Sequence, residues 1–222
     1  GVCGGAEAFY ALEFFPPNTP DGARNLISRV DRFGQAASPP LWVDVTWCLN
    51  SGKRAMETLV AAKAVCGLSV QLHLSCTGLT RDMADGVLED CIEAGIFSLL
   101  IIRGDPPPGS DQWVQTDGGF ATARDLVAYI RRKHANAFSI AVACHPGGLP
   151  GGGDSVQNFK SKIDAGADYG VCQLGFDTSA YSDFVKGCKG AGITAPIIPG
   201  VLVPPPSPAQ VSSVCKHCGV PP

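Results

Sequence analysis

Polar side chains stand at the ends of a series of apolar runs in this chain: Glu13, Thr46, His73, Arg103-Gly104-Asp105, His145, Gln173 and Asp177. Glu13 is the sharpest. It lies among Ala11, Leu12, Phe14 and Phe15, and Pro16-Pro17 closes the run by removing a backbone donor and fixing φ. A carboxyl desolvated by such neighbours has its pKa raised, holds a proton near neutral pH and acts as a general acid. Asp105 follows Gly104, whose missing side chain lets the backbone come close to a ligand, and Pro106-Pro107-Pro108 stiffens the exit. Gln173 is an uncharged amide inside Val171-Cys172-Gln173-Leu174. Burial there requires both its ends to be bonded, and an amide suits pterin and nicotinamide edges, which mix donors and acceptors. The glycine run 147–153 lacks the Lys-Ser/Thr ending of a phosphate-binding loop and is expected to be a flexible connection.

The elements that must position these groups follow from hydrophobic periodicity. Strands are predicted over Phe9–Phe15, Leu41–Cys48, Ser69–Cys76, Ser98–Arg103, Phe138–His145, Tyr169–Phe176 and Pro196–Leu202. Most are near-continuous apolar runs, the pattern of parallel strands buried on both faces. Amphipathic helices separate them. One is expected to bury Ala23, Leu26, Ile27, Val30 and Phe33, another Met83, Val87, Leu88, Cys91 and Ile92, a third Tyr181, Phe184, Val185 and Cys188. Thr80 and Asp177 or Thr178 read as N-caps, and Gly95, Gly166 and Gly192 as helix ends. Repeated βα units without GxGxxG after the first strand favour an α/β (β/α)8 TIM barrel, truncated after about seven βα units, over a doubly wound dinucleotide fold. In such a barrel the strand ends form one functional rim. Residues 1–7 are expected to be an N-terminal extension and 8–222 the barrel.

Composition narrows the class. A hydrophobic content of 45% excludes a disordered chain, and a net charge of −3 provides no general attraction to nucleic acid or an anionic membrane. The longest apolar run, Ala94 to Ile102, is about half a membrane span. Of the ten cysteines, Cys48, Cys66, Cys76, Cys91, Cys144, Cys172 and Cys188 sit singly in apolar segments, as small hydrophobes in a reduced, cytoplasmic setting. The lone close pair, Cys215 and Cys218, lacks a second ligand pair, so no metal site is expected.

Several strings then carry a family resemblance: Leu12-Glu13-Phe14-Phe15-Pro16-Pro17-Asn18-Thr19, Asp44-Val45-Thr46-Trp47, His73-Leu74-Ser75-Cys76, Arg103-Gly104-Asp105-Pro106-Pro107 and Asp111-Gln112-Trp113. Further on come Lys162-Ile163-Asp164-Ala165-Gly166-Ala167-Asp168, Gln173-Leu174 and Pro196-Ile197-Ile198-Pro199-Gly200. In this order they resemble the methylenetetrahydrofolate reductases, in the eukaryotic branch. The resemblance implies a cytoplasmic oxidoreductase of one-carbon metabolism. It would carry FAD and use NADPH or NADH to reduce 5,10-methylenetetrahydrofolate to 5-methyltetrahydrofolate, feeding methionine synthesis. It implies Glu13 and Asp105 as catalytic and folate-contacting residues, with Gln173 as a further folate contact. It places Thr46, His73, Arg103, Gly104, Asp105, His145, Asn158 and Lys162 at FAD-contacting positions, with His145 in the place of a stacking aromatic. The expected complete assembly is a homo-oligomer, without nucleic-acid or membrane partners. The family pattern departs after the fifth strand, where Leu149 replaces a histidine and Asp154 stands one residue before the usual aspartate. A competing expectation is a degenerate or incomplete barrel that binds folate or a partner without redox activity.

Overall fold

The computed structural model describes residues 8–46, 52–107, 109–110, 112–149, 151–202 and 207–218. The expected extension 1–7 and the motif residues Trp47, Pro108 and Asp111 lie outside the described residues, as does Cys48. The chain forms two compact units, residues 1–121 and 122–222.

The first unit runs β1 (Leu12–Phe14), α1 (Pro20–Gly34), β2 (Val43–Val45), α2 (Gly52–Cys66), β3 (Val70–Ser75), α3 (Arg81–Glu93) and β4 (Ser98–Ile102). Its strands are parallel and pair in chain order, with Glu13 opposite Asp44, Asp44 opposite Gln71 and His73 opposite Leu100. One set of alternating side chains is aliphatic: Val43, Val45, Leu72, Leu74, Leu99 and Ile101 are all at or below 1% exposure. Each contributes roughly 1.5–3 kcal/mol by leaving water. Side chains two residues apart share a sheet face, so Trp42, Asp44 and Thr46 fall on the other face of β2, and Gln71, His73 and Ser75 on the other face of β3. That second face is polar.

The second unit runs α4 (Ala123–His134), β5 (Ser139–Cys144), α5 (Ser155–Asp164), β6 (Tyr169–Leu174), α6 (Thr178–Gly190), β7 (Ile197–Gly200) and α7 (Pro208–Cys218). Its strands are also parallel and consecutive, with Cys144 opposite Cys172 and Gly170 opposite Ile197. A bulge interrupts the β6–β7 ladder between Val171 and Leu174, around Gln173. A bulge of this kind adds one residue to its strand and breaks the ladder locally. Gly200 permits this approach, since a Cβ there would lie 2.5 Å from the Cys172 carbonyl.

The expected alternation of seven strands and helices is therefore present, with three local differences. β1 and β2 are three residues each, shorter than the predicted runs; Pro16-Pro17 cannot extend the ladder, and Phe9 and Phe15 are 54% and 59% exposed. On α3 the buried stripe is Ala84, Leu88 and Cys91, while Met83 and Ile92 face outward. The apolar face is narrower than the sequence suggests and centred on Leu88. Helix caps fall where expected: Thr80 accepts from the Met83 amide at 3.2 Å, and Gly95, Gly166 and Gly192 follow their helices with positive φ. No helix among the described residues is long and apolar enough to cross a membrane.

Candidate active site

On the polar face of the first unit, three strands bring Glu13, Asp44, Thr46 and His73 together. The Thr46 hydroxyl donates to Glu13 Oε1 at 3.0 Å. The Trp42 indole N–H donates to Asp44 Oδ2 at 2.7 Å. His73 lies between the two carboxylates, with Nδ1 3.7 Å from Glu13 Oε1 and Nε2 3.5 Å from Asp44 Oδ1. Both distances are longer than a hydrogen bond but within ion-pair reach. His73 is 3% exposed and Asp44 8%, so neither charge is screened by bulk water.

Burial disfavours a charged His73. The adjacent Asp44 carboxylate and the charge of Glu13 outweigh that cost and hold the imidazole pKa above its ordinary value. Burial likewise holds the Asp44 carboxyl above the usual range, more than His73 and Trp42 lower it. Each of the two groups therefore holds its proton to higher pH than it would in water.

Glu13 itself differs from expectation. Its side chain is 57% exposed and the neighbouring Phe15 is exposed too. The aromatic enclosure that would desolvate the carboxyl is not formed, because a three-residue strand followed by two prolines carries Phe15 away from it. Polar neighbours, rather than burial, define this carboxylate's surroundings.

Beyond β4 the chain makes a tight turn through Arg103-Gly104-Asp105. Gly104 has φ +87°, and a Cβ there would lie within 2.6 Å of the Thr77 hydroxyl and closer still to that of Ser75. The turn is held from β3's exit: the Thr77 hydroxyl donates to the Asp105 carbonyl at 2.7 Å and accepts from the Trp113 indole N–H at 3.0 Å. Ser75 reaches the Arg103 carbonyl at 3.3 Å. Asp105 is thereby anchored through its backbone with its carboxylate exposed, and the Arg103 guanidinium lies 5.5 Å over the Trp113 ring. Asp44, Ser75 and Trp113 stand in the motif strings without an expected role, and Thr77 lies outside them. The available signal was a charged residue, Asp44, interrupting an aliphatic strand opposite Glu13.

The second unit places its candidates separately. Gln173 is half-buried at the β6 bulge. His145 begins the turn after β5, its carbonyl accepting from the Gly148 amide at 3.1 Å. Lys162 on α5 is 8% exposed and donates to the Ala143 carbonyl at 2.9 Å. Asn158, one turn earlier on that helix, accepts the Ser161 hydroxyl at 2.8 Å through its carbonyl. Asp154 caps α5 by accepting from the Val156 and Gln157 amides, which gives its one-residue displacement a structural role. Asp177 caps α6 in the same way. The Ser179 hydroxyl and the Ala180 and Ser179 amides hold its carboxyl below the usual range.

The family model for methylenetetrahydrofolate reductase matches residues 4–221. Methylenetetrahydrofolate reductase (NADH) 1 of Zea mays is 38% identical over 216 residues, covering 90% of this chain and 36% of its own length. Methylenetetrahydrofolate reductase 2 of Saccharomyces cerevisiae is 36% identical over 202 residues, with 87% and 33% covered. The chain thus spans about a third of the length of these relatives. Among solved structures, an uncharacterised Clostridium thermocellum protein that binds two copies of 5-methyl-5,6,7,8-tetrahydrofolic acid aligns with a TM-score of 0.65. That alignment is 14% identical and covers 97% of this chain and 72% of the other. The likeness, with the strand order within each unit, identifies the fold as α/β with seven βα units of the (β/α)8 barrel class.

Proposed function

Because the chain belongs to the methylenetetrahydrofolate reductase family, we propose that its protein reduces 5,10-methylenetetrahydrofolate to 5-methyltetrahydrofolate with NADH or NADPH. The observation that carries the reading is Glu13, an exposed carboxyl on a strand face, fixed at 3.0 Å by Thr46 beside an otherwise buried charged cluster. In this role Glu13 delivers a proton to the folate amine as the bridging five-membered ring opens, leaving an iminium carbon able to accept hydride. Asp105, with its carboxylate exposed and its backbone clamped by Thr77, orients the pterin. Gln173, half-buried at the β6 bulge, contacts the folate edge.

The donor set present fits an FAD. In the first unit Arg103 is a cationic donor suited to an anionic diphosphate, Thr46 offers a hydroxyl and Gly104 allows a bare backbone turn; in the second, Asn158 offers an amide and Lys162 a cation held on the Ala143 carbonyl. FAD, when bound, would supply the hydride-accepting and hydride-donating chemistry that no protein side chain possesses. His73 and His145 complete the proposed cofactor contacts. Seven cysteines among the described residues are free thiols, which supports a reducing, cytoplasmic setting. The proposed assembly is a homo-oligomer.

The test is purification of the full chain, followed by its flavin absorbance and by NAD(P)H oxidation with and without methylenetetrahydrofolate. Flavin absorbance with folate-dependent oxidation is the expected result; a flavin-free protein with no folate-dependent oxidation overturns the proposal. Leu149 packs 3.4 Å from where a Gly153 Cβ would lie, placing an apolar side chain in a loop the family fills with histidine. That favours a second reading, a folate-binding barrel without redox activity, which tight folate binding in the absence of flavin would support.

A further inference from the structure

His73 raises a question that a role as cofactor contact does not answer: why a nearly inaccessible imidazole should have each of its nitrogens turned toward a different carboxylate. Neutral imidazole carries one N–H and can serve one of the two; the imidazolium carries two and serves both. Glu13 faces it from β1 and Asp44 from β2, while β4, on its other side, presents the apolar Leu100 at the matching register. Asp44 Oδ2 is already occupied by the Trp42 indole, leaving Oδ1 for the imidazole. On Glu13, Thr46 and His73 both address Oε1. An oxygen that accepts the Thr46 hydroxyl and also faces the imidazole within ion-pair distance is the poorer place for a proton, so the acid proton of Glu13 belongs on Oε2.

We propose that Asp44 and His73 are positioning residues for Glu13: His73, lodged between two registered carboxylates, selects Oε2 as the proton-bearing oxygen and steadies the carboxylate that remains once the proton departs. The assignment rests on the reading of Glu13 as the acid of folate reduction. In that step the Glu13 Oε2–H bond breaks, the proton passes to the substrate amine nitrogen, and the bonding pair stays on Glu13. The new negative charge forms within ion-pair distance of a buried imidazolium, which attracts it. Asp44 keeps that imidazolium charged, an arrangement supported by the raised pKa of His73. Once His73 loses its proton, the steadying charge is gone. The folate-dependent step therefore falls on the alkaline side.

Two measurements on the full chain test this. The first is a pH titration of the four histidines by nitrogen NMR, assigned by single substitutions, and it is independent of turnover. His73 is expected to titrate above the ordinary histidine value of about 6.5, and to move to lower pH in Asp44→Asn and, separately, in Glu13→Gln. Glu13 is exposed enough that its substitution leaves folding intact should Asp44→Asn not fold. A wild-type His73 that titrates at or below the ordinary value, or one that neither variant moves, overturns the network. The second is the pH profile of the folate-dependent step, followed apart from reduction by NAD(P)H. Asp44→Asn is expected to move the alkaline limb to lower pH, a loss of about tenfold on that limb for each unit moved, with the NAD(P)H-dependent step unchanged. A displaced His73 titration with an unmoved profile overturns the positioning role. A wild-type protein lacking the folate-dependent step overturns the proposed function and this role together, while the titration still reports whether the network exists.

Discussion

In the first unit the registered pair Glu13 and Asp44 puts two carboxylates on neighbouring strands with an imidazole beside them; in the second, the registered pair Cys144 and Cys172 puts two thiols there, with sulfurs 3.2 Å apart. Both arise from the same parallel pairing, yet they lead to opposite chemistry. The carboxylates flank an imidazole within ion-pair distance, so the groups that face one another are ones able to exchange protons. The thiols are locked: contact with Cys172 and burial push the Cys144 thiol up. Polar side chains of the second unit serve mainly its backbone. Arg131 donates to the carbonyls of Gly166, Ala135 and Phe138 and pairs with Asp168 at 2.7 Å, while Asp168 also accepts from the Ile140 amide. Register places groups together, and residue type decides whether the result is a site or a fastening.

This contrast can be broken at specific points. Glu13→Gln should cost the most, slowing the folate-dependent step by about 10²–10⁴ while leaving reduction by NAD(P)H largely intact, as separate half-reaction kinetics would report. Equal loss of both steps would mean that the first unit's cluster fastens rather than reacts. Gly104→Ala should destabilise by about 2–3 kcal/mol, since it combines a positive φ with contact on the Ser75 and Thr77 hydroxyls. Denaturant unfolding measures it, and adding Thr77→Ala should recover part of the loss. Arg131→Met should lower stability by about 2 kcal/mol through unpaired carbonyls without altering the pH profile of turnover. Ala135, at φ 47° and ψ −119° beyond α4, is strained for a residue with a Cβ. Ala135→Gly should therefore stabilise by about 1 kcal/mol. The smallest signal is expected from the second unit's thiols: Cys144 and Cys172 should resist a thiol reagent at pH 8 in the native protein and react on unfolding. Rapid native labelling would show that this region opens.

Cluster stability carries the sign of its titration. His73 binds its proton more tightly folded than unfolded, so its contribution is complete below its ordinary pKa and disappears as pH rises through the raised value. Asp44, also raised, acts in the same direction. The stability difference between wild type and Asp44→Asn should accordingly narrow as pH increases, and thermal unfolding across pH checks it.

The sequence by itself determined the βα alternation, the helix caps and the identity of the strand-end residues. Those depend on local rules: apolar period, side-chain capping and the freedom of glycine at positive φ. Leu72, Leu74, Leu99 and Ile101 were legible as core because continuous aliphatic runs have no other stable place than between two layers. What only tertiary structure decided was partnership. Nothing in the spacing of Glu13, Asp44 and His73 along the chain states that three strands share a register, so the charged cluster escaped notice although every member was in view. The exposure of Glu13 was decided in the same way, because proline geometry turned Phe15 outward and replaced an expected hydrophobic enclosure with hydrogen bonds. Likewise, Thr77 and Trp113 became the clamp on Asp105 through a contact spanning 36 residues, a separation at which local propensity carries no information.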